Sequence, residues 1–481
     1  MPASRQGEHN GMSNKRKTVL IVAGEFPPIK TIGRIRSVKF AEHLTQLGWK
    51  VIVLTVEPRK DSPIYVPSLE AEVPEGVEVY RAPWPDIESE TIGRIKRLLG
   101  YKSPTVQADA SSVAASPEPG RPSENHPRTS IFDLPLRAYK YLLRNWVNIP
   151  DDYRSWSRQA LPLAKQICTE QQIDVIYTTL PPFSAARIGY QLRKEQGIPW
   201  VADYRDLWYG DVLREWINPL REHLELALER RYMKHADVII SVSEQKTEFL
   251  KQLFKSTQAR FETLTNGYDP EIYTPFLNTP RPTSDTINFI FTGRLFKNRR
   301  GYAFAEALGQ LAQEQPAIKD KVRVHILGGV SPEIQQRYDE ILTQYEINDI
   351  YHFPGDVPYD QAMRAQVNAD YLLLIVDTGK TSDGVIPGKL FEYVAAKRPI
   401  FALTDPGATQ EIIERAGIGR VVPAESVEQC KTALRELLDS EVPETLTRDE
   451  AYLQQFERRN ISLRLENILC KTVDKLADKP Q

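Results

Sequence analysis

Cysteine is scarce in this chain. Cys168, Cys430 and Cys470 stand far apart and form neither a Cys-x-x-Cys pair nor a zinc-ligand spacing, which points to a reducing compartment and not to a disulfide framework. Long apolar runs are missing: no stretch approaches the ~18–20 residues that span a bilayer. Met1–Lys17 is polar and lacks the apolar core of a secretory signal, so a cytoplasmic protein is expected. There is no excess of one charge either. With 62 basic against 64 acidic residues the net charge is −2, which leaves no chain-wide footprint for nucleic acid, and none is expected as a partner. His43, His223, His235, His325 and His352 are scattered, and Asp203-x-x-Asp206 is not the Asp-x-Asp spacing of a divalent-metal site, so no metal is predicted. The stretch from Gly24 to Gly33 supplies no Gly-x-Gly-x-x-Gly, which removes an NAD-dependent oxidoreductase.

What is present suits a large soluble α/β protein. At 481 residues, 41% hydrophobic and 26% charged, the chain is long enough for two or three domains with real cores. TVLIVAGE (Thr18–Glu25) reads as a strand buried on both faces; a loop with Pro27, Pro28 and Gly33, a helical pattern over Ile35–Leu47 and the strand WKVIVLTV follow. The alternation returns in DVIYTTL, PWVADY and DVIISVS, and a second series runs INFIFTG, VRVHILGG, YLLLIVD and PIFAL. A Pro- and Thr-rich stretch, Pro270–Thr286, separates the two series and predicts a hinge near residues 275–285. The reading is two doubly wound units.

The first unit carries an insertion. Ser103–Ser130 is rich in Ser, Pro, Ala and Glu and is expected to be disordered. It is flanked by residues 92–102 (IGRIKRLLGYK) and 136–146 (LRAYKYLLRNW), which carry basic and apolar side chains and no acid. Such pieces fit an anionic membrane surface or a lipid-linked acceptor; equally, they fit a helix packed on its own domain with a solvated basic face.

Chemistry concentrates in the second half. In FTGRLFKNRRG a strand delivers Arg294, Lys297, Arg299 and Arg300 to its carboxyl end, where open α/β sheets bind ligands. Guanidinium forks match phosphate oxygens and stay charged at any working pH, so a diphosphate suits this turn; the alternative is a solvated basic loop. In SDGVIPGKLFEYVAAKRP, Pro387-Gly388 opens a helix whose first-turn N–H groups form an anion site, with Lys389 adding a cation. Glu392, one turn on, is placed to accept from both hydroxyls of a ribose or to pair with Lys389 on the surface. In the first half, Gly33 at a helix start permits close backbone approach, with Arg34 and Arg36 beside it. Asp203, Arg205 and Asp206 in WVADYRDLW are expected at a carboxyl edge, the aspartates orienting an acceptor hydroxyl or forming a structural Asp–Arg pair.

Taken in order, EFPP…G with LGWKVIVLT, LPPFSAARIGYQLRKEQGIPWVADYRDLW, DVIISVSE…TNGYDPEIY, GRLFKNRRG and VIPGKLFEYVAAKRPI make the chain resemble the GT-B-fold, family 4 glycosyltransferases over most of its length. The second of these stretches resembles a subgroup associated with cell-surface polysaccharide synthesis. The resemblance implies two Rossmann-like doubly wound domains facing a cleft. It divides the chain into a disordered terminus 1–16, an acceptor-side domain 17–275 with the disordered insertion 103–130, a linker 276–286, a donor-binding domain 287–457 and a C-terminal helix 458–481 that crosses back to the first domain. It implies a UDP- or GDP-linked hexose donor, a glycan or lipid-linked acceptor, retention of configuration, and no cofactor or metal. A cytoplasmic location at the inner membrane face would follow. By position, Arg294 and one of Arg299 and Arg300 hold the diphosphate, Glu392 the ribose, with Gly33 in the loop near the phosphates and Asp203 or Asp206 on the acceptor side.

One departure stands out. The family often places a glutamate eight residues before the second, against the donor sugar, and here that position is Gly384, with Asp383 adjacent as a substitute. The rival readings are a nucleotide-sugar epimerase, which needs no acceptor site, and a non-catalytic scaffold whose donor site has decayed.

Overall fold

The computed structural model describes residues 16–85, 146, 148–211, 214, 218–282, 284–439 and 446–477. Residues 1–15, the insertion 103–130, the segment 92–102 and all of 136–146 but Trp146 lie outside them.

Thirteen strands form two sheets among the described residues. The first holds β1 (Thr18–Val22), β2 (Lys50–Glu57), β3 (Glu78–Pro83), β4 (Val175–Leu180), β5 (Trp200–Tyr204), β6 (Val238–Ser241) and β7 (Arg260–Thr263), in the order β3-β2-β1-β4-β5-β6-β7. The second holds β8 (Ile287–Thr292), β9 (Val322–Leu327), β10 (Tyr351–Gly355), β11 (Tyr371–Ile375), β12 (Ile400–Leu403) and β13 (Gly419–Val422), in the order β10-β9-β8-β11-β12-β13. The pairs β1–β2, β1–β4, β2–β3 and β6–β7 are parallel, as are all five pairs of the second sheet. Both sheets are doubly wound, as expected, and both reverse their winding between the first strand and the one that follows the crossover.

Burial follows from the side-chain alternation of strands. Phe289 and Phe291 of β8 and Leu373 of β11 join one hydrophobic cluster, while Ile290, Leu372 and Leu374 join another on the opposite face. A strand with helices on both sides has no solvated face, so β1, β4, β5 and β11 are buried at every position. A side chain caps the start of a few helices. Asn218 accepts from Leu220 N at 2.9 Å and Arg221 N at 3.2 Å, with Pro219 at the first helical position of Pro219–Met233. The proline-rich stretch read as a hinge begins with a helix, Pro270–Leu277, in which Pro270 is tolerated at the first turn and Pro275, inside the helix, has no N–H to donate.

Contacts divide the chain into two units, one drawn from Met1–Leu136, Asp151–Val201 and Thr472–Gln481 and the other from Arg137–Pro150 and Ala202–Lys471. The helix Arg458–Ala477 ends the described chain. Within the larger unit Arg464 of this helix donates to Thr263 O at 2.8 Å, and within the smaller one its Asp474 pairs with Lys17 at 3.1 Å. No helix among the described residues is long and apolar enough to cross a membrane.

Candidate functional site

The reversal of the second sheet lies between β8 and β11, and the residues following those two strands build the site. After Thr292 the chain makes a compact turn that ends at Gly301, the residue before the helix Tyr302–Glu314. Gly301 must be glycine: its φ is 71°, and a Cβ there would stand 2.5 Å from Ile375 Cδ1 and 2.9 Å from the Tyr338 hydroxyl. The turn is thereby seated on the end of β11.

The four cations of this turn are not equivalent. Arg294 is exposed, and among the described residues it makes no hydrogen bond or ion pair. It lies over Gly329, where an added Cβ would come within 3.1 Å of its Nε. Arg299 is paired with Asp377, which follows β11 and whose side chain is only 4% exposed. The guanidinium also lies 5.4 Å from the centre of the Phe296 ring. Arg299 Nε and Asp377 Oδ1 are both buried without a hydrogen-bond partner. Arg300 is spent on its own turn, donating from Nε to Lys297 O at 3.0 Å. Lys297, at φ 50°, lies 5.9 Å from the Phe296 ring centre.

Beside this turn the helix Gly388–Ala396 begins with no side-chain cap, so its first-turn N–H groups are not satisfied by one. A Cβ on Gly388 would meet nothing within 4 Å, so the space beside that turn is open. The helix is anchored by Tyr393, whose hydroxyl accepts from Thr292 N at 2.9 Å and donates to Leu373 O at 3.2 Å. Glu392 Oε2 accepts from Lys389 Nζ at 2.8 Å and from Gln366 Nε2 at 3.0 Å. Gln366 is fully buried; its amide also donates to Thr292 Oγ1 at 2.8 Å, and its carbonyl accepts from the Tyr273 hydroxyl at 2.7 Å. Burial first, then the Glu392 charge, raises the Tyr273 hydroxyl above its ordinary range, so it stays a proton donor. Of the two sequence alternatives for Glu392, the pair with Lys389 is seen, through Oε2; Oε1 makes no hydrogen bond among the described residues.

Gly384 is closed to a larger side chain. A Cβ there would lie 2.8 Å from Lys246 Cγ and 3.2 Å from Ser243 Oγ, and Ser243 Oγ donates to Gly384 O at 2.8 Å. Asp383, one residue earlier, is exposed. Asp203 lies inside β5 and is fully buried, whereas Asp206 lies beyond the strand, 54% exposed, with Lys246 Nζ 3.8 Å from its Oδ1. In the smaller unit Gly33 precedes the helix Arg34–Gln46 at φ −60°, a conformation open to any residue. Arg34 there is engaged with both oxygens of Glu72 at 3.0 and 2.9 Å, and Arg36 lies 4.8 Å from the Phe40 ring centre.

Sequence reasoning missed Asp377, Gln366 and Lys246. Asp377 was findable, since it follows the apolar run YLLLIV as Arg294 follows INFIFT. Gln366 and Lys246 each lie among other polar residues on amphipathic helices, and nothing in their neighbours marks them.

Two family descriptions match the chain: "Glycosyl transferase 4-like domain" over residues 107–267 and "Glycosyl transferases group 1" over residues 286–440. No curated protein matches it by sequence. Among solved structures it is similar to sucrose-phosphate synthase from Thermosynechococcus elongatus, with TM-score 0.58, 15% identity, and coverage of 95% of this chain and 99% of that one. A glycosyltransferase from Rickettsia africae gives TM-score 0.59 and 13% identity over 95% and 99% of the two chains. Anabaena HepE, in complex with UDP and glucose, gives 0.57 and 13% over 95% and 100%. At such identities the structural likeness carries the fold alone.

Proposed function

The chain belongs to the GT-B glycosyltransferases, and from this premise we propose that it moves a hexose from a UDP- or GDP-linked donor to a hydroxyl of a glycan or lipid-linked acceptor, with retention of configuration and without a metal. The observation that carries the proposal is Arg294 at the sheet's switch point, without a partner among the described residues, beside the start of Gly388–Ala396, which has no side-chain cap, and Glu392 Oε1, without a hydrogen bond among those residues. In this reading Arg294 and Arg299 bind the diphosphate and the first-turn N–H groups near Gly388 add an anion site. Glu392 Oε1 takes the ribose hydroxyls, with Lys389 and Gln366 fixing the carboxylate. Arg300 is secondary and Gly33 contributes backbone only. Asp206, exposed where Asp203 is buried, is the acceptor-side carboxylate. HepE was obtained with UDP and glucose, which supports a donor of that kind here.

Transfer requires the nucleoside diphosphate to leave with its negative charge while the anomeric carbon becomes oxocarbenium-like. Fixed guanidinium groups and helix N–H dipoles stabilise that charge where it develops, which is work a metal ion does elsewhere. Residues 17–275 would supply the acceptor side and 287–457 the donor side of an enzyme of polysaccharide biosynthesis, peripheral to the membrane. The test is a panel of UDP- and GDP-linked hexoses assayed for slow donor hydrolysis. One donor is expected to be cleaved, and Arg294→Ala to lower kcat at least ~100-fold, the scale of losing one charge-stabilising donor. Wild-type turnover by that variant would sink the assignment. Appearance of an isomeric donor without hydrolysis would indicate an epimerase.

A further inference from the structure

The helix Pro219–Met233 is built inside out. Its buried positions include Arg221, Glu225 and Glu229, spaced by four residues. They are held by a dense set of partners: Arg221 Nε donates to Glu225 Oε1 at 2.5 Å, Trp208 Nε1 and Arg214 Nη2 to Glu225 Oε2 at 2.8 Å, and the Tyr204 hydroxyl to Glu229 Oε1 at 2.9 Å. The outer side has the opposite character. Past Pro219 its exposed positions are Leu220, His223, Leu224, Ala227, Arg230 and Arg231, with Leu220 60% and Leu224 48% exposed. None is acidic, although the helix contains three glutamates: two are buried and the third, Glu222, is half-buried. A helix covering a soluble core turns its leucines inward and its charges outward. Here the apolar residues face out over the first two turns and the cations follow at the C-terminal end.

That combination selects the occupant. Leucines with basic residues and no acid on one helix face fit the headgroup and acyl boundary of an anionic bilayer, where apolar side chains enter and cations stay with the phosphates. The inner side of the helix is fixed further by Arg221 Nη2, which donates to Asn148 O and Pro150 O, each at 3.1 Å.

We propose that the outer face of Pro219–Met233, from Leu220 to Arg231, is a docking surface for an anionic lipid bilayer. The proposal rests on, and deepens, the reading of a transferase that serves a lipid-linked acceptor. The test is flotation of the full chain with phosphatidylcholine vesicles, with and without phosphatidylglycerol. The wild type floats with the anionic vesicles and less with the neutral ones. Leu220→Glu with Leu224→Glu lowers the bound fraction at least about tenfold, while the melting temperature and calorimetric binding of UDP or GDP, whichever the wild type takes, stay unchanged. Arg230→Glu with Arg231→Glu reduces flotation with the anionic vesicles only. Absence of wild-type flotation, or undiminished flotation of the leucine variant, overturns the proposal. So does a wild-type dimer that the leucine variant dissociates without vesicle binding, which would give the face to a second copy. Flotation without binding of either UDP or GDP would leave the surface standing and remove the donor reading instead.

Discussion

Arg299 and Arg300 are adjacent and identical in sequence character, yet only the structure separates them. Arg299 neutralises a buried carboxylate, and Arg300 folds back on its own turn. Removing one partner of a buried pair leaves an uncompensated charge, so Arg299→Ala is expected to destabilise the chain by about 3–5 kcal/mol. Arg299→Ala with Asp377→Ala should recover part of that loss, because no charge is then left buried alone. Urea unfolding of the two single variants and the double variant checks this; additive losses would contradict it. Glu229 makes a different kind of residue-scale prediction. Burial pushes its carboxyl up from 4.5 to about 8, against the Tyr204 hydrogen bond and the Arg214 charge that pull it down. The folded state therefore binds one proton more than the unfolded state between those values. Stability contributed by this group is unaffected below pH 4.5 and is lost as pH rises towards 8. Glu229→Gln should stabilise the chain relative to wild type at about pH 9 and much less at about pH 5, read from denaturant midpoints. An equal effect at both would show that the carboxyl titrates normally.

At the scale of elements, the legible strands share one property. The nine strands that stand out in the sequence are the inner ones of both sheets, and the four that do not, β3, β7, β10 and β13, are the edges. Covered on both faces, inner strands such as YLLLI are near-continuous apolar runs, and β9, VRVHIL, still shows a clear alternation. An edge strand is half-solvated, and EVYRAP, RFET, YHFPG and GRVV carry too few apolar residues to signal a period. The site was legible for the same reason its frame was: Arg294 and the Gly388 helix follow inner strands. Asp383 and Gly384 were harder to weigh, because what decides them is a neighbour distant in sequence. The 3-10 turn Ser382–Gly384 packs on Ser243 and Lys246, which leaves no room for a side chain at Gly384. Gly384→Glu, which restores the residue common in the family, should therefore cost about 1–3 kcal/mol through overpacking and bring no gain in turnover. Its melting curve and its rate with the preferred donor check this, and a stable variant with raised activity would show that the turn rearranges freely.

For the whole molecule, the doubly wound order of each sheet and the family matches agree on a glycosyltransferase, while the sugar and the acceptor rest on chemistry argued from a few side chains. The proposed function makes the carboxyl edge of β8 and β11 a nucleoside-diphosphate site organised by Arg294 and Glu392. Calorimetric titration of the wild type, Arg294→Ala and Glu392→Ala with UDP and with GDP addresses it most directly. The wild type is expected to bind one of the two nucleotides. Arg294→Ala should weaken that binding at least about tenfold, the loss of a charge-assisted phosphate contact, and Glu392→Ala should weaken it by a similar factor. A wild type that binds neither nucleotide would contradict the account and leave a scaffold with a decayed site. Undiminished binding by both variants would place the nucleotide elsewhere.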